Sequence, residues 1–291
     1  MLDRFKTILE LIRFPGMFTA HADILAAFLI TRANMDQIIP FLFIILSTSC
    51  LFSAGMALND YFDYLIDLEE RPERPIPSNR VSRPFALSLG ILLLVAGTGF
   101  ALAAGFRPFC ISLALVFAIL CYNGGLKHHP IIGPLFMASC RYFNLLMGLS
   151  VLLFPGWTLV PLITGVYIFG VTVLSQKEAT GGKATKTISL AALCVGSTGL
   201  IYYFFYLNDI FNLFTGVLLA MGLAMFLSFK IMLLLEHHQP KDFQITMKKL
   251  LLSIIVLNTV LAAGVAPLYQ ASAILLLYLP ALLSVRLFRV T

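Results

Sequence analysis

Apolar runs recur along almost the whole of this sequence, at residues 14–31, 37–58, 85–105, 108–123, 133–154, 157–175, 187–207, 211–235, 250–268 and 271–288. A helix needs about 20 predominantly apolar residues to cross a bilayer, so each run is read as a membrane span. Ten spans with short connections consume all 291 residues. The expected fold is therefore all-α: a polytopic integral membrane helical bundle of nine to ten transmembrane helices, forming one membrane-embedded domain over residues 1–291. With 59% of residues hydrophobic and 12% charged, a soluble globular chain is excluded. No fixed-period repeat, low-complexity tract or linker divides the sequence.

The net charge of +6 reports orientation and not a nucleic-acid partner. Placing the N-terminus in the cytoplasm puts sixteen of the twenty Lys and Arg residues on that side, and only Arg32 and Arg107 on the other. Arg141 and Lys230 fall inside spans. The expected localisation is a multi-pass protein with its N-terminus and long polar loop cytoplasmic, in the inner membrane if the source is bacterial. The five cysteines lie in apolar stretches without a CxxC pair and are read as small buried hydrophobes, not as a zinc site or a disulfide framework. Residues 1–16 place Leu2, Phe5, Leu9 and Ile12 at helical intervals between charges, the pattern of an interfacial helix.

The one long polar connection, 59–84, holds six of the fourteen acids. Asn59, Asp60, Asp63 and Asp67 are spaced so that, at about 100° per residue, all four share one helix face. Three carboxylates and an amide oxygen repel one another unless a cation neutralises them, and an all-oxygen set suits Mg²⁺, which keeps positions open for phosphate oxygens. The competing reading is a solvated helix end whose acids pair with Arg71, Arg74 or Arg80. Against it, Asp60 and Asp63 directly follow some twenty apolar residues, near headgroup depth, where an unpaired carboxylate is costly.

This signature, followed by Glu70-Arg71-Pro72-Glu73-Arg74-Pro75-Ile76-Pro77-Ser78, resembles the first aspartate-rich motif of the UbiA-type intramembrane prenyltransferases. Arg13-Phe14-Pro15, Tyr122-Asn123 with Lys127, and Arg141 with Asn144 continue the resemblance, which can be followed over residues 10–185. The resemblance implies a membrane prenyltransferase. Mg²⁺ on Asn59, Asp60, Asp63 and Asp67 would hold an allylic prenyl diphosphate. Arg13, Arg74, Tyr122, Asn123, Lys127, Arg141 and Asn144 would contact substrate, and an electron-rich acceptor, aromatic or another small cyclic compound, would attack the allylic cation. Beyond the diphosphate and a hydrophobic acceptor, the only partner expected is the lipid bilayer, with no nucleic acid.

A second aspartate-rich motif is expected in such enzymes after the sixth span, and the aligned stretch here is Ser175-Gln176-Lys177-Glu178-Ala179-Thr180-Gly181-Gly182. Only Glu178 remains as a carboxylate. Glu178 is expected to assist a second Mg²⁺ and Lys177 to grip phosphate, so that the catalytic set reads Asp63, Asp67, Lys177 and Glu178. The Glu-Ala-Thr-Gly-Gly pattern is similar to the EboC-like sub-branch of the family. The alternative this erosion keeps open is a family member that carries an isoprenoid or other hydrophobic metabolite without turnover.

Polar residues at membrane depth complete the list. Asp23 and His21 in the first span are read either as acceptor contacts or as hydrogen-bonded helix contacts. Arg141 needs a buried anionic partner, either phosphate or an acid on a neighbouring helix. A proton-coupled transporter would need titratable groups strung through the spans, and these four, Asp23, His21, Arg141 and Lys230, are almost all there are. His128-His129 and His237-His238 are adjacent pairs that do not share a helix face, which disfavours a metal site.

Overall fold

The computed structural model describes residues 2–32, 35–152, 156–177, 184–236 and 239–287. Among them every regular element is helical. In chain order these are α1 (Leu2–Leu11), α2 (Phe14–Ile30), α3 (Ile38–Phe62), α4 (Tyr64–Glu70), α5 (Arg83–Ala104), α6 (Phe106–Asn123), α7 (Ile132–Leu149), α8 (Pro161–Ser175), α9 (Thr185–Leu207), α10 (Phe214–Met232), α11 (Pro240–Ala262), α12 (Leu268–Ala271) and α13 (Tyr278–Leu287).

Among the described residues eight helices are long and apolar enough to cross a bilayer, and two shorter apolar segments, Phe14–Ile30 and Leu268–Ser284, take the places of the first and tenth expected spans. The chain is an integral, multi-pass membrane protein. The departures from ten full spans have local causes. α2 begins with its apolar run at Phe14, set by Arg13 in the left-handed conformation at the N-cap and Pro15 in the first turn, and at 17 residues it is shorter than a full span. The last segment is broken by a 3₁₀ stretch at Ser272–Leu277. α11 begins ten residues before its apolar run, because Pro240 opens a helix whose first turns carry Lys241, Asp242, Lys248 and Lys249.

Successive helices pack side by side, α5 with α6, α6 with α7, α7 with α8, α8 with α9, and α9 with α10. α2 touches α3, α7 and α11 and so ties the N-terminal and C-terminal parts of the bundle together. The outer faces are apolar too: Leu193 on α9 is 70% exposed and Met225 on α10 is 74% exposed. Such faces are matched to hydrocarbon and would be a liability in water. A second, smaller core of Leu11, Ala57, Ile76, Val81 and Ala86 lies under the loop between α4 and α5.

α3 and α5 make close backbone contact because the buried positions of α5 are all small: Ala86, Gly90, Gly97 and Ala101. A Cβ at Gly97 would stand 2.7 Å from the Leu51 side chain and 3.2 Å from the Ser47 carbonyl oxygen. Gly97→Leu is therefore expected to force the two helices apart, costing about 1–3 kcal/mol or more, the range for overpacking. Thermal unfolding in detergent checks this. Gly99→Leu is the control, since nothing lies within 4 Å of a Cβ there, and it leaves the transition unchanged.

Candidate active site

The acidic motif leaves the end of α3 without losing its helical path. The Asp63 N–H donates to the Asn59 carbonyl at 2.9 Å, the Asp67 N–H to that of Asp63 at 2.8 Å, and the Arg71 N–H to that of Asp67 at 3.0 Å. These i→i−4 bonds carry the shared face of Asn59, Asp60, Asp63 and Asp67 across the junction between α3 and α4. The Asp60 and Asp67 side chains are almost fully buried.

Each carboxylate is met by a cation from another part of the chain. Arg13 donates to Asn59 Oδ1 at 3.2 Å and to Asp60 Oδ1 at 3.3 Å. Arg74, from the loop after α4, donates to Asp67 Oδ2 at 2.6 Å and lies 3.5 Å from Asp60 Oδ1. The Lys127 ammonium lies 2.5 Å from Asp63 Oδ1. Asn59 links the set internally, its amide donating to Asp63 Oδ2 at 3.0 Å and to Asn123 Oδ1 at 3.2 Å. Three anions and three cations thus share one end of the bundle, just beyond the apolar length of α3.

Local backbone chemistry puts the cations there. Arg13 sits at φ 48°, ψ 53°, a region that few non-glycine residues occupy, and this turns the chain between α1 and α2 toward α3. Lys127 follows Gly124-Gly125, and Gly125 takes φ 125°, which favours glycine. Gly133 lets the start of α7 pass against this turn, since a Cβ there would stand 2.5 Å from the Lys127 carbonyl oxygen. Burial lowers the pKa of the Lys127 ammonium below the ordinary lysine value, and the Asp63 carboxylate opposes that shift.

As placed, no three His, Cys, Asp or Glu side chains among the described residues converge on a single point suited to a metal. In the ion pairs the acids are turned toward cations: Asp60 to Arg13 and Arg74, Asp67 to Arg74, and Asp63 to Lys127. The donor chemistry nonetheless fits Mg²⁺, with three carboxylates and the Asn59 amide oxygen on one face and no nitrogen or sulfur ligand among them. Tyr122 is half-buried in the last turn of α6, beside Asn123. Lys177 is half-buried just beyond α8, and its neighbour Gln176 donates to the Pro130 carbonyl at 3.1 Å, tying this segment to the Lys127 turn. Glu178 lies outside the described residues, as does the His237-His238 pair.

Arg141, for which the sequence allows either phosphate or an acid on a neighbouring helix, is paired with such an acid and stands apart from the acids of the motif. It donates to Asp23 Oδ2 at 3.3 Å and to Thr19 Oγ1 at 2.6 Å. Asn144 stays with Arg141, donating to Asp23 Oδ2 at 2.8 Å and accepting from Thr48 at 2.9 Å. Asn258 on α11 adds a third donor to Asp23, at 2.7 Å. Asp23 is fully buried. Its hydrogen bonds join α2, α7 and α11. A charge at membrane depth takes the nearest opposite charge, and for Arg141 that is the acid on α2. Asn258 was missed from the sequence, although an amide inside the apolar run 250–268 was a signal available there. His21 pairs with Ser49 at 2.7 Å.

The comparisons with known proteins agree with this architecture. The UbiA prenyltransferase family model matches residues 23–252. Digeranylgeranylglyceryl phosphate synthase of Sulfurisphaera tokodaii is 27% identical over 197 residues, covering 66% of this chain and 70% of that protein. The enzyme of the same name from Methanosarcina mazei is 35% identical over 165 residues, covering 52% and 56%. The chain thus spans little more than half the length of the second relative. Among solved structures, one of digeranylgeranylglyceryl phosphate synthase covers 90% of this chain and 99% of its own, with a TM-score of 0.71 and 20% identity. A UbiA homologue from Archaeoglobus fulgidus bound to GPP and Mg²⁺ covers 87% and 99%, with a TM-score of 0.65 and 13% identity. A family match that runs through most of the chain, on a bundle with this acidic helix end, places the chain in the UbiA prenyltransferase family.

Proposed function

We propose that this protein transfers a prenyl group from an allylic prenyl diphosphate to a hydroxyl-bearing acceptor of the glycerophosphate-lipid type, with Mg²⁺ as cofactor. The observation that carries the reading is the array of three carboxylates and three cations at one helix end. A metal-bound diphosphate offers both charges at once. The acids would exchange their guanidinium and ammonium partners for Mg²⁺, and Arg13, Arg74 and Lys127 would exchange carboxylates for phosphate oxygens. Neither charge set is then left desolvated and alone.

In this reading Asn59, Asp60, Asp63 and Asp67 hold the metal, with Glu178 supporting a second ion. When bound, Mg²⁺ supplies a counter-charge for the departing diphosphate. Arg13, Arg74, Lys127 and Lys177 hold the diphosphate oxygens and stabilise the negative charge that grows as the allylic carbon–oxygen bond breaks. The acceptor oxygen forms the new bond to that carbon, its hydroxyl proton is released, and diphosphate leaves. The basic end of the bundle faces the cytoplasm, where prenyl diphosphates are soluble. Tyr122 and Asn123 line the same end.

One observation favours a glycerophosphate-type acceptor over the aromatic one expected from the sequence: the matched relatives are named for a glyceryl phosphate product. The test is turnover. Purified protein in detergent receives Mg²⁺, labelled prenyl diphosphates of graded length, and either a monoprenylated glycerol phosphate or a hydroxybenzoate. The expected result is labelled ether product with the glycerol phosphate acceptor alone. Product only on the aromatic acid overturns the acceptor, and diphosphate binding with no product on any acceptor favours the carrier.

A further inference from the structure

Arg74 reaches two acids of the site from a loop, so something must hold that loop. Its backbone is fixed on both sides. The carbonyl of Glu73, immediately before it, accepts from Arg80 Nη2 at 2.7 Å. Its own carbonyl accepts from the Ser78 hydroxyl at 2.6 Å and from the Ser78 N–H at 3.0 Å. Arg80 is the hub of this arrangement. Its Nε donates to Ser78 Oγ at 3.0 Å, and its Nη1 lies 2.5 Å from Glu10 Oε2 at the end of α1. Beneath it, Ile76 and Val81 share the small core with Leu11 of α1, Ala57 of α3 and Ala86 of α5. One guanidinium therefore ties α1, Ser78 and the peptide before Arg74 into a single unit, and neither Glu10 nor Arg80 is paired with an acid of the site.

We infer that Glu10 and Arg80 form a latch that positions Arg74, making both of them positioning residues for diphosphate binding. The inference rests on the diphosphate-site reading above. Arg80 serves through its planar fork, which bonds three acceptors at once; a lysine keeps the charge beside Glu10 but cannot hold Glu73 and Ser78 together. Releasing the latch leaves the acids and the metal-ligand set intact and frees only the cation that bridges Asp60 and Asp67. Small misplacements of a substrate-holding group have large consequences, up to about 10²-fold for 1 Å.

The experiment uses the full chain purified in detergent, with Mg²⁺ and a non-ionisable prenyl thiodiphosphate analogue as the probe. Glu10→Gln, Arg80→Lys and the double variant are compared with the unaltered protein by analogue affinity and by hydrogen exchange across residues 74–82. Each single variant is expected to raise Kd roughly five- to twentyfold, within the range for loosened positioning, and to speed exchange at the Ser78 and Val81 amides, which donate to Arg74 and Pro75. The double variant is expected to be no worse than either single one, because both act through one contact. The midpoint of thermal unfolding is expected to move little, since the Arg80 side chain is 40% exposed and an ion pair screened by solvent on one side contributes little to global stability. Variants that bind within twofold of the unaltered protein, or losses that add in the double variant, overturn the positioning role alone. Absence of analogue binding in the unaltered protein overturns the site reading and this role with it.

Discussion

Asp63→Asn is expected to remove Mg²⁺-dependent prenyl transfer almost entirely, lowering kcat by about 10²–10³-fold, the effect typical of losing one electrostatic group aimed at developing charge. Asp63 stands at the junction of α3 and α4, accepts from the Asn59 amide at 3.0 Å, and is the carboxylate paired with Lys127. The amide is nearly the same size, so the helix junction and the bond to the Asn59 carbonyl survive. What disappears is one negative charge of three and one of the two side-chain oxygens, leaving a neutral amide oxygen in place of a carboxylate. The loss is therefore expected in affinity for Mg²⁺ and diphosphate and in turnover, with secondary structure and elution in detergent unchanged. A variant that transfers the prenyl group at the normal rate removes Asp63 from the metal site.

Asp23→Ala is expected to have the largest effect on stability. Asp23 is completely buried and receives Arg141, Asn144 and Asn258. Removing it leaves the Arg141 guanidinium without its counter-ion, held only by Thr19, and takes one acceptor each from Asn144 and Asn258, which keep the Ala20 and Ile254 carbonyls; breaking a buried ion pair from one side costs about 3–5 kcal/mol. That is a large part of the 5–15 kcal/mol or so by which folded domains are stable. The expected result is aggregation on extraction, or a much lower unfolding midpoint in detergent. Replacing both partners, Asp23→Leu with Arg141→Met, is expected to recover part of the loss, because the unpaired charge is then gone as well. An Asp23→Ala protein as stable as the unaltered one shows that the pair is not what joins α2 to α7 and α11.

How legible all this was in the sequence depends on what each inference required. The spans follow from hydropathy alone, since lipid demands helices of a set length. The shared face of Asn59, Asp60 and Asp67 follows from helical period. Arg74 was already among the cations weighed as partners for these acids. Helix rotation was not legible: hydropathy around α2 and α7 does not say which polar residue turns toward which neighbour, so the sequence leaves Arg141 two kinds of partner and only the structure places it beside Asp23. The same limit hid Asn258, 235 residues from Asp23 along the chain. The start of α11 was missed because its first turns are polar, and apolar period says nothing about a helix that extends beyond the membrane. Lys127 was named from resemblance, but its approach to Asp63 depends on the Gly124-Gly125 turn and on Gly133, a backbone passage that no side-chain pattern records.

The central claim is that the acidic end of α3 is a metal–diphosphate site. It is tested most directly by the affinity of the purified protein for a prenyl thiodiphosphate analogue, measured in Mg²⁺ and again in EDTA, with Glu178→Gln beside it. The account predicts binding at least tenfold tighter with Mg²⁺, and weaker Mg²⁺-dependent binding in the Glu178 variant. Equal affinity with and without the metal would contradict it, leaving three ion pairs that hold a helix end together and no site for chemistry.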